Sequence, residues 1–128
     1  MACAASAVRV EAATDAATYA PGRRPLLSLI VTNTGSVACL RNVGQGAVTL
    51  TVTSGGVRIW SSEDCAPGGP LGPQLIAPSG KVTHGVSWTR LTSKVGCPAG
   101  LPSAPPGSYD LVATNVTISS QPVRFILR

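Results

Sequence analysis

The chain has 128 residues, 44% of them hydrophobic and 12% charged, with ten Lys plus Arg against five Asp plus Glu. That length fits one domain over residues 1–128, and an apolar share this large supports a true core and excludes a disordered chain. The net charge of +5 is scattered along the sequence, with only Arg23 and Arg24 adjacent and few aromatics, so the basic stripe of a nucleic-acid reader is missing.

No window of about 11–18 residues keeps a 3.6-residue period free of Gly, Pro and β-branched runs, so helices are not expected. Period-two alternation recurs instead. A first, weaker strand is read at "AVRVEA" and is closed by the Pro21-Gly22 turn. "LSLIVT" follows, with Leu27, Leu29 and Val31 on one face and Ser28, Ile30 and Thr32 on the other, and it ends at a turn over Asn33-Thr34-Gly35. "VTLTVT" sets Val48, Leu50 and Val52 against three threonines, and Ser54-Gly55-Gly56 joins it as a tight hairpin to "VRIW". "KVTHGVSWT" puts Val82, His84, Val86 and Trp88 in one phase. Pro106-Gly107 then launches "SYDLVAT", where Tyr109 occupies the place of a tyrosine corner, and "PVRFILR" closes the series. Seven short strands separated by Gly/Pro turns predict an all-β, immunoglobulin-like β-sandwich.

Cys3, Cys39, Cys65 and Cys97 lie more than twenty residues apart. Zinc sites use closely spaced pairs, so no metal is expected; an even number of distant cysteines reads as two disulfides and an oxidising compartment. If every strand reverses direction and the 66–80 segment crosses to the opposite end, all four cysteines converge on one pole. Four cysteines allow three pairings, and Cys3–Cys39 with Cys65–Cys97 is the favoured one. "MACAASAVRV" lacks a basic and a long apolar region, and no apolar run approaches the ~18 residues of a span. The expectation is that a signal or membrane anchor precedes residue 1, and that the chain meets a membrane only through it.

Catalytic and cofactor chemistry finds few residues. His84 is the only histidine and shares its phase with Val82, Val86 and Trp88, which favours packing over acid–base work, and no cofactor is expected. Glu63-Asp64 is expected to be a solvated turn before Cys65. Asn115-Val116-Thr117 matches a glycosylation sequon. Trp60 is out of phase with Val57 and Ile59, so Trp60 and Arg58 are read as sharing an outer face and form the first candidate for partner binding. Arg23 and Arg24 are a second candidate, for a phosphate or an anionic headgroup.

The stretches "YAPGRRPLLSLIVTNTGSVAC", "IWSSEDC", "VSWTRLTSKVGC" and "PPGSYDLVA" together resemble a group of actinobacterial extracytoplasmic domains. The element Y-x-P-G … L-x-L-x-V-x-N-T-G within them is also similar to the bacterial family related to intracellular proteinase inhibitors. The resemblance implies an immunoglobulin-like domain behind a signal or anchor and supplies no catalytic residues. The function expected is a non-catalytic module that binds another envelope protein or a cell-wall component, without nucleic acid. The alternative is a proteinase inhibitor acting through the proline-stiffened loop 96–107, with Leu101 as the contact residue.

Overall fold

The computed structural model describes residues 1–66 and 68–128; Pro67, inside the 66–80 segment, lies outside the described residues. Eleven strands follow one another: β1 (Val8–Thr14), β2 (Thr18–Tyr19), β3 (Leu26–Asn33), β4 (Cys39–Asn42), β5 (Val48–Ser54), β6 (Val57–Ser61), β7 (Pro73–Ile76), β8 (Lys81–Ser87), β9 (Gly107–Asn115), β10 (Ile118–Ser119) and β11 (Val123–Leu127). Seven of them are the strands expected from the alternation; the added ones have two to four residues, too few to show a period.

One sheet has the order β1-β3-β8 and the other β2-β11-β9-β5-β6, while β4 and β7 pair separately. Three antiparallel strands facing a longer sheet, antiparallel except for the parallel β2–β11 pair, is the immunoglobulin-like arrangement, here with no strand beside β8 among the described residues. The facing rows are those the alternation predicts: Leu27, Leu29 and Val31 meet Val48, Leu50 and Val52, with Leu111, Ala113, Phe125 and Leu127 completing the core. Gly55 and Gly56 both have positive φ, 57° and 81°, as a two-residue hairpin between right-twisted strands requires.

Two poles organise the loops. At the Asn33 pole β1 begins where β3 ends, with Val8 opposite Asn33. Buried asparagines fasten it. Asn33 Nδ2 donates to the carbonyls of Val37 and Ile76, and Asn115 Nδ2 to those of Asn42 and Ala47. Asn115 Oδ1 also accepts from Arg41 Nε at 2.7 Å. Asn115 is fully buried and bonded at both ends of its amide, so the sequon is a fold element and offers no acceptor.

At the opposite, Pro21 pole, the Tyr109 hydroxyl donates to the Pro105 carbonyl, which is the expected tyrosine corner. Beside it Asp15 Oδ1 accepts from the Tyr19 hydroxyl at 2.5 Å and from the Leu26 N–H at 3.0 Å. The Tyr19 hydrogen bond, then the Leu26 N–H, hold the Asp15 carboxyl below its usual pKa, while burial pushes the Tyr19 phenol up. A carboxylate with a lowered folded-state pKa contributes stability above its unfolded value and loses it as pH falls through the folded one. Asp15→Asn is therefore expected to lower the urea midpoint at neutral pH, with the gap to wild type closing once the pH drops below about 4.

The disulfides are Cys3–Cys39 and Cys65–Cys97, the favoured pairing. They do not share a pole. Because β7 pairs with β4, residues 68–80 stay at the Asn33 pole instead of crossing, and β8 starts there, with Lys81 opposite Thr32. The loop that carries Cys97 thus leaves from the Pro21 pole and runs back along β6, where the Ser93 N–H donates to the Ile59 carbonyl. Cys65–Cys97 consequently lies beside the β6 edge, away from Cys3–Cys39.

Candidate functional site

All five aromatic side chains of the chain form one connected cluster. Tyr109 stacks on Phe125 at 5.8 Å between ring centroids, Tyr19 and Trp88 meet Phe125 edge-on at 6.0 and 6.2 Å, and Trp60 leans on Trp88 at 5.9 Å. Trp88 is buried, and its indole N–H donates to the Leu91 carbonyl. Trp60 is the only member that reaches the surface.

Its position comes from a β-bulge. The β5–β6 register shifts between Val52 and Thr53, so Val52 faces Trp60 and Thr53 faces Arg58, leaving Ile59 as the extra residue. A bulge breaks strict alternation and turns two consecutive side chains toward one side. Ile59 and Trp60 both pack against the core, and Arg58 points the other way. The expected shared face of Arg58 and Trp60 is thereby corrected, since period-two counting does not survive an inserted residue.

Arg58 is also engaged. Its guanidinium meets Asp64 Oδ1 at 2.5 Å, with the Asp64 side chain 1% exposed and that of Arg58 42%. Asp64 Oδ2 accepts from the Ser93 hydroxyl, whose oxygen in turn accepts the Ser61 N–H. The expected solvated turn at Glu63-Asp64 is corrected for Asp64: it is a buried anion tying β6 to the 88–107 loop. Removing the cation strands a buried charge, whereas Asp64→Asn removes the charge itself. Arg58→Ala is therefore expected to cost about 3 kcal/mol in urea unfolding and Asp64→Asn only about 1–2 kcal/mol, an order that a surface ion pair would not give.

Trp60 stands between two grooves. One, of about 330 Å³, is walled by Leu91, Ser93, Leu101 and the Cys65–Cys97 bridge. The other, of about 360 Å³, opens between β6 and β8 and is lined by Val48, Glu63, His84 and Val86. The second groove exists because β8 is an edge strand: Val82, His84 and Val86 keep the predicted inward phase yet are only half covered. His84 is thus an edge-packing residue. Leu101 is half-buried in the wall of the first groove, and the 96–100 backbone turns twice, with Gly96, Cys97 and Gly100 at positive φ. Thr92 holds the loop's far side through two hydrogen bonds to the Pro102 carbonyl. Trp60 and Leu101 therefore share one groove, whereas Arg23 and Arg24 are exposed at the Pro21 pole.

Among the described residues no group of three His, Cys, Asp or Glu side chains is placed to hold a metal ion, and no helix is long and apolar enough to cross a membrane. What sequence reading missed is Asp64 with Ser93, and the side-chain hydrogen bonds of Asn33, Asn115 and Asn42, whose Oδ1 accepts from the Gly44 and Gly72 N–H groups. The available signal for Asn33 and Asn42 was Asn two residues before Gly in "NTG" and "NVG", where the side chain can accept from the backbone two residues on.

No family model matches the chain, and no curated protein is detectably similar to it. Similar solved structures include the β-glucosidase EmGH1 from Erythrobacter marinus, with a TM-score of 0.55 and 15% identity over 94% of this chain and 15% of that one. The alkylpurine DNA glycosylase AlkC of Pseudomonas fluorescens gives 0.53 and 12% over 95% of this chain and 30% of that one. The sporulation control protein Spo0M of Bacillus subtilis gives 0.52 and 15% over 95% and 49%. The chain spans less than half the length of each, and at such identities the likeness extends to the fold alone.

Proposed function

We propose that this chain is a non-catalytic module of the bacterial extracytoplasmic envelope that binds another envelope protein through the cleft around Trp60. One observation carries the reading: of a rigid five-ring aromatic cluster, only Trp60 reaches the surface, and it does so between two grooves. Aromatic anchors set in a preformed, partly desolvated hollow are the usual centres of protein interfaces. Two disulfides suit an oxidising compartment. The resemblance to actinobacterial extracytoplasmic domains points to the same place. The double turn at 96–100 favours this reading over protease inhibition, because a protease cleft takes an extended backbone and this loop is folded back.

The test is affinity capture from an envelope extract with the immobilised chain and its Trp60→Ala, Leu101→Asp and Arg9→Glu forms. Recovery of a partner is expected to fall at least tenfold for the first two and to stay level for Arg9→Glu, on the far side of the sandwich. Equal recovery with all forms would contradict the cleft. Nanomolar inhibition of a protease that disappears in Leu101→Asp would replace the binding module with the inhibitor.

A further inference from the structure

The basic residues are scattered in sequence and gathered in space. Three of the ten cations are neutralised in ion pairs: Arg9 with Glu11, Arg58 with Asp64 and Arg124 with Asp110. Of the seven left, Arg23, Arg24, Arg90 and Arg128 all lie at the Pro21 pole. Arg90 assembles them: its Nη1 donates to the carbonyls of Ala20 at 2.8 Å and Arg23 at 3.2 Å, and its Nη2 to that of Arg128 at 2.7 Å. The Arg23 guanidinium lies 5.8 Å from the Tyr19 ring centroid. Asp15 is the nearby carboxylate, already accepting from Tyr19 and Leu26. Among the described residues no ion pair with an acidic side chain involves any of the four arginines.

Apolar side chains accompany this charge. Leu26, two residues after Arg24, is 43% exposed, and Leu91, directly after Arg90, is 47% exposed. A soluble polyanion would use the arginines and leave the leucines in water. A bilayer surface uses both, the cations at its headgroups and the leucines at the acyl boundary, and peripheral binding requires two such signals together.

We propose that the Pro21 pole docks on an anionic phospholipid surface, with Arg23, Arg24 and Arg128 toward the phosphates and Leu26 and Leu91 toward the acyl boundary. Arg90 is the positioning residue that holds the turn and the final strand end together. Leu91 also walls the first groove beside Trp60, whereas Arg23, Arg24, Leu26 and Arg128 line neither groove, so the Arg23→Gln with Arg24→Gln form tests this surface apart from the Trp60 cleft.

The experiment is co-sedimentation of the full chain with vesicles of phosphatidylglycerol in phosphatidylcholine, against phosphatidylcholine alone, at low salt. Binding to the anionic vesicles only is expected. Arg23→Gln with Arg24→Gln should weaken it about twenty-fivefold, at about fivefold per charge. Leu91→Ser should weaken it severalfold, and Lys81→Glu, at the other pole, should leave it unchanged. Circular dichroism confirms that each form is folded. Absence of sedimentation with anionic vesicles would overturn the proposal, as would an equal loss with Lys81→Glu. It would also fall if Leu91→Ser binds like wild type while soluble polyphosphate competes fully, for the partner would then be a polyanion.

Discussion

Trp88→Ala is expected to remove about 4 kcal/mol of folding stability, a large share of what a domain of this size has. The ring is almost fully buried and touches Trp60, Tyr109 and Phe125, three of the four other aromatics. Its deletion opens a cavity between the sheets and frees the N–H anchor at Leu91. The half-exposed Trp60 should cost only about 1–2 kcal/mol when replaced by alanine, since less apolar surface is lost. Urea unfolding followed by far-ultraviolet circular dichroism measures both. Equal losses would mean that Trp60 is a core residue spent on stability and would weaken its assignment to the cleft.

The second large effect concerns the disulfides. They close loops of 36 and 32 residues, and restricting the unfolded chain to that extent is worth about 4 kcal/mol for each bridge. Their chemistry should nevertheless differ. Cys3 and Cys39 are 9% and 7% exposed, whereas Cys65 and Cys97 both lie at the surface. A thiolate must reach the sulfur it attacks, so dithiothreitol without denaturant is expected to open Cys65–Cys97 first and leave Cys3–Cys39 intact until unfolding. Alkylation followed by mass spectrometry reads the order. With the exposed bridge open, proteolysis should begin within 94–101, because that stretch then lacks its tie to the β6 edge. Release of Cys3–Cys39 first would contradict the arrangement of the two loops.

Much of the fold was legible because it rests on alternation. Val48, Leu50 and Val52 in "VTLTVT", and Tyr109, Leu111 and Ala113 in "SYDLVAT", face the core as their period requires. The paired glycines of the hairpin and the tyrosine corner were legible for the same reason: each local motif has one backbone geometry that satisfies it. The candidate site was less so. A single inserted residue at the β6 bulge reverses every later side chain, and nothing in "VRIW" announces it. The position of the second disulfide depended on whether residues 66–80 cross the molecule, and a four-residue pairing of Cys39–Asn42 with Pro73–Ile76 decided that. Asp64 looked like a surface carboxylate because its partners, Arg58 and Ser93, are brought to it by the fold and not by neighbourhood in sequence. The arginines of the Pro21 pole illustrate the same limit, since Arg23 and Arg128 stand more than a hundred residues apart and meet through Arg90.

The proposed role of the Trp60 cleft is tested most directly by hydrogen–deuterium exchange of the chain with and without the captured envelope partner. Protection confined to Val57–Ser61, Lys81–Ser87 and the 88–107 loop is the expected result. Protection centred on Val8–Thr14 and Val123–Leu127, across the sandwich, would place the partner elsewhere and contradict the cleft.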